Sequence, residues 1–257
     1  MYVRPKKSLG QHFLHDRNIA AKIVNSLRAE GYRTVIEVGP GLGVLTGYLL
    51  ERKDLEIIPV EIDREAVEFL KETYPVLCGR IVEGDFLKTD LSVLTEGPFG
   101  VIGNFPYHIS SPIFFRILEN RQLVKEVVCM VQKEVAERIC SAPGNKTYGI
   151  LSVLLGAFFR VEYLFTVGEK VFSPPPKVKS AVIRLTRHRE GRLPCQEELF
   201  FRLVKAGFNQ RRKTLRNALK AMLLPTPDHH PLLEKRAEQL NGDDFIALTR
   251  WAELYMR

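Results

Sequence analysis

Thr34-Val-Ile-Glu-Val-Gly-Pro-Gly-Leu-Gly43 decides the fold. Thr34–Val38 is apolar and β-branched apart from Glu37, and it reads as a buried strand stopped by glycines. A helix is expected from about Gly43 to Arg52. A strand, a glycine turn and a helix open an α/β unit, and the glycines let backbone approach a ligand closely. The spacing of Gly39, Gly41 and Gly43 differs from G-x-G-x-x-G, so a pyrophosphate cradle is not specifically indicated. At this point a plain glycine turn of any α/β protein remains an equal alternative.

The pattern repeats outward from this stretch. Upstream, Asp16 is placed to cap a helix running to about Glu30, with Ile19, Ile23, Val24 and Leu27 on one face. Downstream come a strand at Leu55–Ile62, a helix at Arg64–Tyr74 and a short strand at Arg80–Val82. A strand at Gly100–Gly103 and a helix at Ser111–Asn120 follow, then a strand at Val127–Val131 and a helix at Lys133–Cys140. Such alternation predicts a mostly parallel sheet with helices on both faces. Phe172-Ser-Pro-Pro-Pro-Lys-Val-Lys-Ser180 is an extended, proline-stiffened stretch, and a further strand is expected around Val182–Leu185. Beyond Gly191 the chain turns helix-rich and basic. Two domains are therefore expected, residues 1–190 and a small helical one over 191–257.

Carboxylates end the expected strands. Glu61 lies 22 residues after Gly39, where it can accept hydrogen bonds from ribose hydroxyls of either NAD or S-adenosylmethionine. Asp85 can accept from an adenine amino group and Phe86 can flank the ring, although a turn aspartate and a core phenylalanine are the plainer readings. After the fourth strand of the series comes Gly103-Asn-Phe-Pro-Tyr107. Its parts suit alkylation of an exocyclic amine, whose lone pair is delocalised into the base. The Asn104 side-chain oxygen and the Phe105 or Pro106 carbonyl can orient that amine. Pro106 stiffens the backbone, and Tyr107 offers a face for stacking.

Asn104-Phe-Pro-Tyr107 resembles the Asn-Leu-Pro-Tyr signature of the ribosomal RNA adenine N6-methyltransferases. Lys7-Ser-Leu-Gly-Gln-His-Phe-Leu14 resembles the opening motif of that family, and Glu37–Gly41 its cofactor loop. Phe172–Val182 and Phe208-Asn-Gln-Arg-Arg-Lys-Thr-Leu-Arg-Asn217 resemble later blocks, which favour the small-subunit dimethyltransferases over the macrolide-resistance enzymes. His12 stands where asparagine is frequent, and Phe105 where leucine is. The resemblance implies a Rossmann-like class I S-adenosylmethionine-dependent methyltransferase domain with a small helical domain. It implies cofactor contacts at His12, Leu14, Gly39, Gly41, Glu61, Asp85, Phe86 and Asn104, and base contacts from Asn104, Pro106, Tyr107 and Phe172. It also implies dimethylation of N6 of two adjacent adenosines near the 3′ end of small-subunit (16S) rRNA, late in subunit biogenesis, by a monomer using no metal. The alternatives are a ribosome-assembly factor whose catalysis is dispensable, a large-subunit rRNA methyltransferase and, on the glycine loop and Glu61 alone, an NAD-dependent oxidoreductase.

Composition bounds these readings. The 257 residues carry 38 Lys plus Arg against 30 Asp plus Glu, a net charge of +8. That excess concentrates in Met1–Lys22 and in Arg202–Lys220, which has no acid at all. Arg211, Arg212, Lys213 and Arg216 are the candidate RNA contacts, since such clusters suit a polyanion. A hydrophobic share of 45 % excludes wholesale disorder. The longest apolar run, Tyr148–Phe159, is too short to cross a bilayer, and no apolar signal core follows the basic N-terminus, so a cytoplasmic protein is expected. The four cysteines show no metal-ligand spacing and read as small buried hydrophobes.

Overall fold

The structure, a computed structural model, describes residues 3–223 and 229–255. Met1 and Tyr2 of the basic N-terminal stretch lie outside the described residues, as do 224–228 and 256–257 of the expected helical domain. The chain divides into two compact units, one of residues 1–136 with 161–187 and one of 137–160 with 188–257.

The first unit opens with a short strand β1 (Phe13–Leu14) and helix α1 (Arg17–Val24). Asp16 caps α1, accepting the Ile19 N–H at 3.0 Å. The helix stops at Val24 instead of near Glu30. The backbone N–H groups of Arg28 and Ala29 donate instead to the buried carboxylate of Glu126, at 3.1–3.2 Å, and Ala29 takes a φ of 58°. Strand β2 (Thr34–Val38) and helix α2 (Val44–Glu51) flank the glycine turn as expected. Then follow β3 (Glu56–Glu61), α3 (Arg64–Thr73), β4 (Val82–Glu83), β5 (Phe99–Asn104), α4 (Ser110–Glu119), β6 (Val124–Gln132) and α5 (Lys133–Ile139). After α6 (Ile150–Gly156) come β7 (Phe159–Val167), β8 (Phe172–Ser173) and β9 (Ser180–Arg187).

Among the described residues the main sheet has the order β4-β3-β2-β5-β6-β9-β7. β2 pairs in parallel with both β3 and β5, and β9 runs antiparallel to β6. The chain therefore leaves β2 toward one edge through β3 and β4, then returns to build outward from β5 on the other side. The crevice at the carboxyl ends of β2 and β5 is where such sheets bind ligands. Separately, β1 pairs antiparallel with β8, Phe13 opposite Ser173 and Leu14 opposite Phe172. Two-residue strands carry no periodicity, so this ribbon is invisible to a sequence pattern.

The sheet is mostly parallel, as the alternation predicts. Apolar residues of α1, α2 and the central strands make one core, including Ile23, Val24, Val35, Leu49, Ile57, Ile102, Val128 and Val182. Glu126 is buried within the same unit and accepts the Tyr32 hydroxyl at 2.5 Å. The Tyr32 ring also lies over Gly100, where a Cβ would meet it at 2.5 Å.

The second unit contains α6 with α7 (Glu197–Asn209), α8 (Leu215–Leu219) and α9 (Gly242–Ala252). Beside the expected division at 190/191, the later boundary between the compact units falls three residues earlier, and residues 137–160 group with the helical unit. The cause is packing. Leu151–Leu155 of α6 are buried, α6 contacts α7 and α9, and a Cβ at Gly242 would touch Ala157 at 3.3–3.4 Å. Cys129 alone of the four cysteines is buried; Cys78 is exposed and the other two are intermediate, which corrects the expectation for them.

Replacing Tyr32 by Phe leaves Glu126 with its backbone donors only. A hydrogen bond to a carboxylate is worth about 1.5–3 kcal/mol, so Tyr32→Phe is expected to lower the unfolding free energy by that amount, read in urea as a lower midpoint at unchanged slope.

Candidate active site

A cavity of about 290 Å³ lies in the first unit at the carboxyl ends of β2, β3, β4 and β5. Five chain segments wall it: Leu9–Leu14, Glu37–Leu42, Val60–Ile62, Gly84–Leu87 and Asn104–Ile109, with Val44 and Leu45 of α2. Of the residues expected to hold a cofactor, His12, Leu14, Gly39, Gly41, Glu61, Asp85, Phe86 and Asn104 all line it. So do Pro106 and Tyr107.

The glycines at the end of β2 have φ of 62°, 56° and 72° at Gly39, Gly41 and Gly43, backbone that side chains rarely adopt. At Gly41 a Cβ would also lie 2.9 Å from the Phe13 ring. This turn lays backbone along the cavity floor. Across it Glu61 is buried, and its two oxygens accept the Gly41 and Asp63 N–H groups, each at 2.9 Å. Burial raises its pKa, against the pull of those two donors. Each carboxylate oxygen keeps acceptor capacity for a further donor. Asp85 closes a turn by accepting the Leu87 N–H at 3.0 Å through Oδ1.

Asn104 ends β5. Its Nδ2 donates to the His12 carbonyl at 3.0 Å. A carbonyl only accepts, so the amide orientation is chemically forced, and Oδ1 has no protein donor among the described residues. The Phe105 N–H is used by the Met130 carbonyl at 3.0 Å, and the Phe105 ring is fully buried, edge-on to Phe114. The bulk of Phe105 is thus spent in the core. The Pro106 carbonyl accepts the Ile109 N–H at 3.1 Å, while the Phe105 carbonyl has no protein donor among the described residues. Of the two carbonyls considered from sequence, that of Phe105 has no protein donor among the described residues and that of Pro106 has one. Gly103 is required beneath this loop, since a Cβ there would sit 2.6 Å from the Val38 carbonyl.

Tyr107 is fixed at both ends. Its hydroxyl hydrogen-bonds Ser180 Oγ at 2.6 Å, and its ring stacks on His12 at 5.6 Å between centroids. Burial raises its pKa, with the Ser180 bond opposing. His12 Nδ1 lies 2.8 Å from the Pro174 carbonyl, which can only accept, so Nδ1 is the donor.

Phe172 departs from the expectation. Its ring is 3 % exposed, belongs to the core cluster with Leu14, and does not line the cavity. Its β8 backbone instead pairs with β1 and holds the His12–Leu14 segment in place. An aromatic before three prolines signals a rigid position but not whether the ring faces a ligand or a core.

In the second unit Arg211 is tied internally. It pairs with Glu238 at 2.6 Å and donates to the Lys146 carbonyl at 2.6 Å. Arg216 pairs with Glu234 at 2.6 Å in an exposed setting. Arg212 and Lys213 are exposed and have no ion-pair partner among the described residues, and both line a groove with Asn209 and Gln210.

Sequence reasoning gave Glu37 no role. It is buried on the cavity wall, its Oε2 accepts the Thr46 hydroxyl at 2.7 Å, and Oε1 has no hydrogen-bond partner among the described residues. Burial pushes its pKa from 4.5 up to about 8. An acid inside an otherwise apolar strand was the available signal. A proton held more tightly folded than unfolded stabilises the protein fully below 4.5, and that contribution is lost as pH rises through about 8. Glu37→Gln should therefore gain in melting temperature over the parent protein as pH is raised from about 5 to about 9, as calorimetric scans will read.

The ribosomal RNA adenine dimethylase family model matches residues 3–253. The ribosomal RNA small subunit methyltransferase A of Cytophaga hutchinsonii is 54 % identical over 249 residues, 96 % of each chain. Its namesake in Bacteroides thetaiotaomicron is 53 % identical over 98 % of this chain and 95 % of its own. Among solved structures, a dimethyladenosine transferase from Plasmodium falciparum superposes with a TM-score of 0.75 at 27 % identity, covering 92 % of this chain and 96 % of that one. The 23S rRNA methyltransferase ErmE does so at 0.69 and 26 % identity, over 92 % and 99 %.

Proposed function

The chain belongs to the ribosomal RNA adenine dimethylase family, and on that premise we propose that it is the S-adenosylmethionine-dependent enzyme that dimethylates N6 of two adjacent adenosines near the 3′ end of small-subunit rRNA. The observation that carries this reading is the forced amide of Asn104. It presents from the end of β5 an acceptor that has no protein donor among the described residues, next to the Phe105 carbonyl.

The residues present fit the cofactor. Glu61 has spare acceptor capacity for ribose hydroxyls, and Asp85 and Phe86 border the place for the adenine. The unpaired Glu37 oxygen and the glycine turn leave a polar cradle without side-chain bulk. S-adenosylmethionine supplies an electrophilic methyl group when bound. The protein's share is positioning. Asn104 Oδ1 and the Phe105 carbonyl accept the two N–H groups of the target amine in the first transfer, and one of them the remaining N–H in the second, which favours a pyramidal nitrogen whose lone pair is drawn out of conjugation with the ring. The methyl-bearing nitrogen then loses its proton to solvent. Holding nucleophile and electrophile in line supplies much of the rate, and no strong base is needed. Tyr107, locked by Ser180 and His12, gives the extruded base a rigid face for stacking.

We assign substrate RNA contacts in the helical unit to Arg212 and Lys213, with Arg211 and Arg216 serving mainly its own packing. No helix among the described residues is long and apolar enough to span a membrane. A monomer acting in the cytoplasm, late in subunit biogenesis, completes the proposal.

Incubation of the protein with labelled S-adenosylmethionine and unmethylated small subunits should place N6,N6-dimethyladenosine at two adjacent positions near the rRNA 3′ end. Label on large-subunit RNA alone would overturn the substrate assignment. Asn104→Ala should lower kcat by about a hundredfold or more. Arg212→Ala with Lys213→Ala should weaken RNA binding and reduce the slope of log affinity against log salt by about 2, as filter binding across a salt series will read.

A further inference from the structure

Asp63 stands two residues beyond Glu61 and caps α3, yet capping explains only one of its bonds. Its carboxylate is 2 % exposed and accepts Lys6 Nζ at 2.6 Å, Gln11 Nε2 at 3.0 Å and the Glu65 N–H at 3.1 Å. Asp16 and Asp90 cap their own helices without an ion pair among the described residues. Lys6 reaches Glu65 as well, at 3.1 Å. These bonds hold Asp63 ionised below the usual carboxylate range despite its burial.

The same residue faces the cofactor site through its backbone, since the Asp63 N–H donates to Glu61 Oε1 at 2.9 Å. Gln11 is oriented by its other end, where Oε1 accepts the Lys6 N–H at 2.8 Å. From Leu9 onward, Gln11 included, the chain is cavity wall. The His12 carbonyl takes Asn104, and Phe13–Leu14 pair with β8. Leu9–Leu14 thus spans the cavity, with Asp63 holding one end and Asn104 and β8 the other.

We propose that Asp63 is a positioning residue for the cofactor, a latch that joins the N-terminal segment, through Lys6 and Gln11, to the strand end that carries Glu61. It acts through the segment and through Glu61, without itself lining the cavity. The latch rests on the reading that this cavity takes S-adenosylmethionine. Releasing it frees one wall, so it governs how long cofactor and its product stay bound.

The test uses the full chain and S-adenosylhomocysteine as probe. Lys6→Met leaves the cap of α3 and the cavity lining intact. It is expected to raise the dissociation constant about tenfold, chiefly through faster dissociation. KM for S-adenosylmethionine should rise similarly, with kcat within about twofold and amide exchange of residues 9–14 accelerated. Lys6→Arg should keep parental affinity, and Asp63→Asn should move in the direction of Lys6→Met. Unchanged affinity, KM and exchange in Lys6→Met would sink the latch, as would a fall in kcat alone. Failure of the unsubstituted protein to bind the probe overturns the cofactor reading instead, and the exchange rates of residues 9–14 still judge the latch.

Discussion

The hydrogen bond from Asn104 Nδ2 to the His12 carbonyl sets the polarity of the whole site. Because a carbonyl cannot donate, the bond decides which end of the amide faces the cavity. It joins the end of β5 to a segment 92 residues earlier in the chain. That segment in turn is held by β8 and by the Pro174 carbonyl. The proline-stiffened stretch therefore acts on the Asn104–Tyr107 loop at one remove, through the segment packed between them.

Packing below the loop is equally exacting. Gly103 lets β5 approach the Val38 carbonyl, and the Phe105 ring fills the core behind it. Together they leave little room for the Asn104 backbone to shift. Rigid support under a reacting group matters because in-line transfer is sensitive to small displacements. The carboxylates contribute differently. Glu61 and Glu37 are buried groups whose charge costs free energy until donors meet it, and Asp63 shows what full satisfaction looks like.

The helical unit illustrates how charge counts mislead. A run from Arg202 to Lys220 without acids reads as one basic surface, yet Glu234 and Glu238, further along the chain, pair with two of its arginines. Only Arg212 and Lys213 of the four candidates keep exposed charges without such partners among the described residues.

The strand–glycine–helix order, the carboxylates at strand ends and the Asn104–Tyr107 motif were all legible in the sequence. Each rests on local periodicity, on glycine conformation or on fixed spacing along one segment. The tertiary structure alone decided that Phe172 is packed in the core, that the Pro106 carbonyl takes the Ile109 N–H while that of Phe105 has no protein donor among the described residues, and that residues 137–160 join the helical unit. It alone brought Lys6 and Gln11 to Asp63 across 57 and 52 residues. Which donor meets which acceptor over such separations depends on how the layers stack, and no local pattern encodes that.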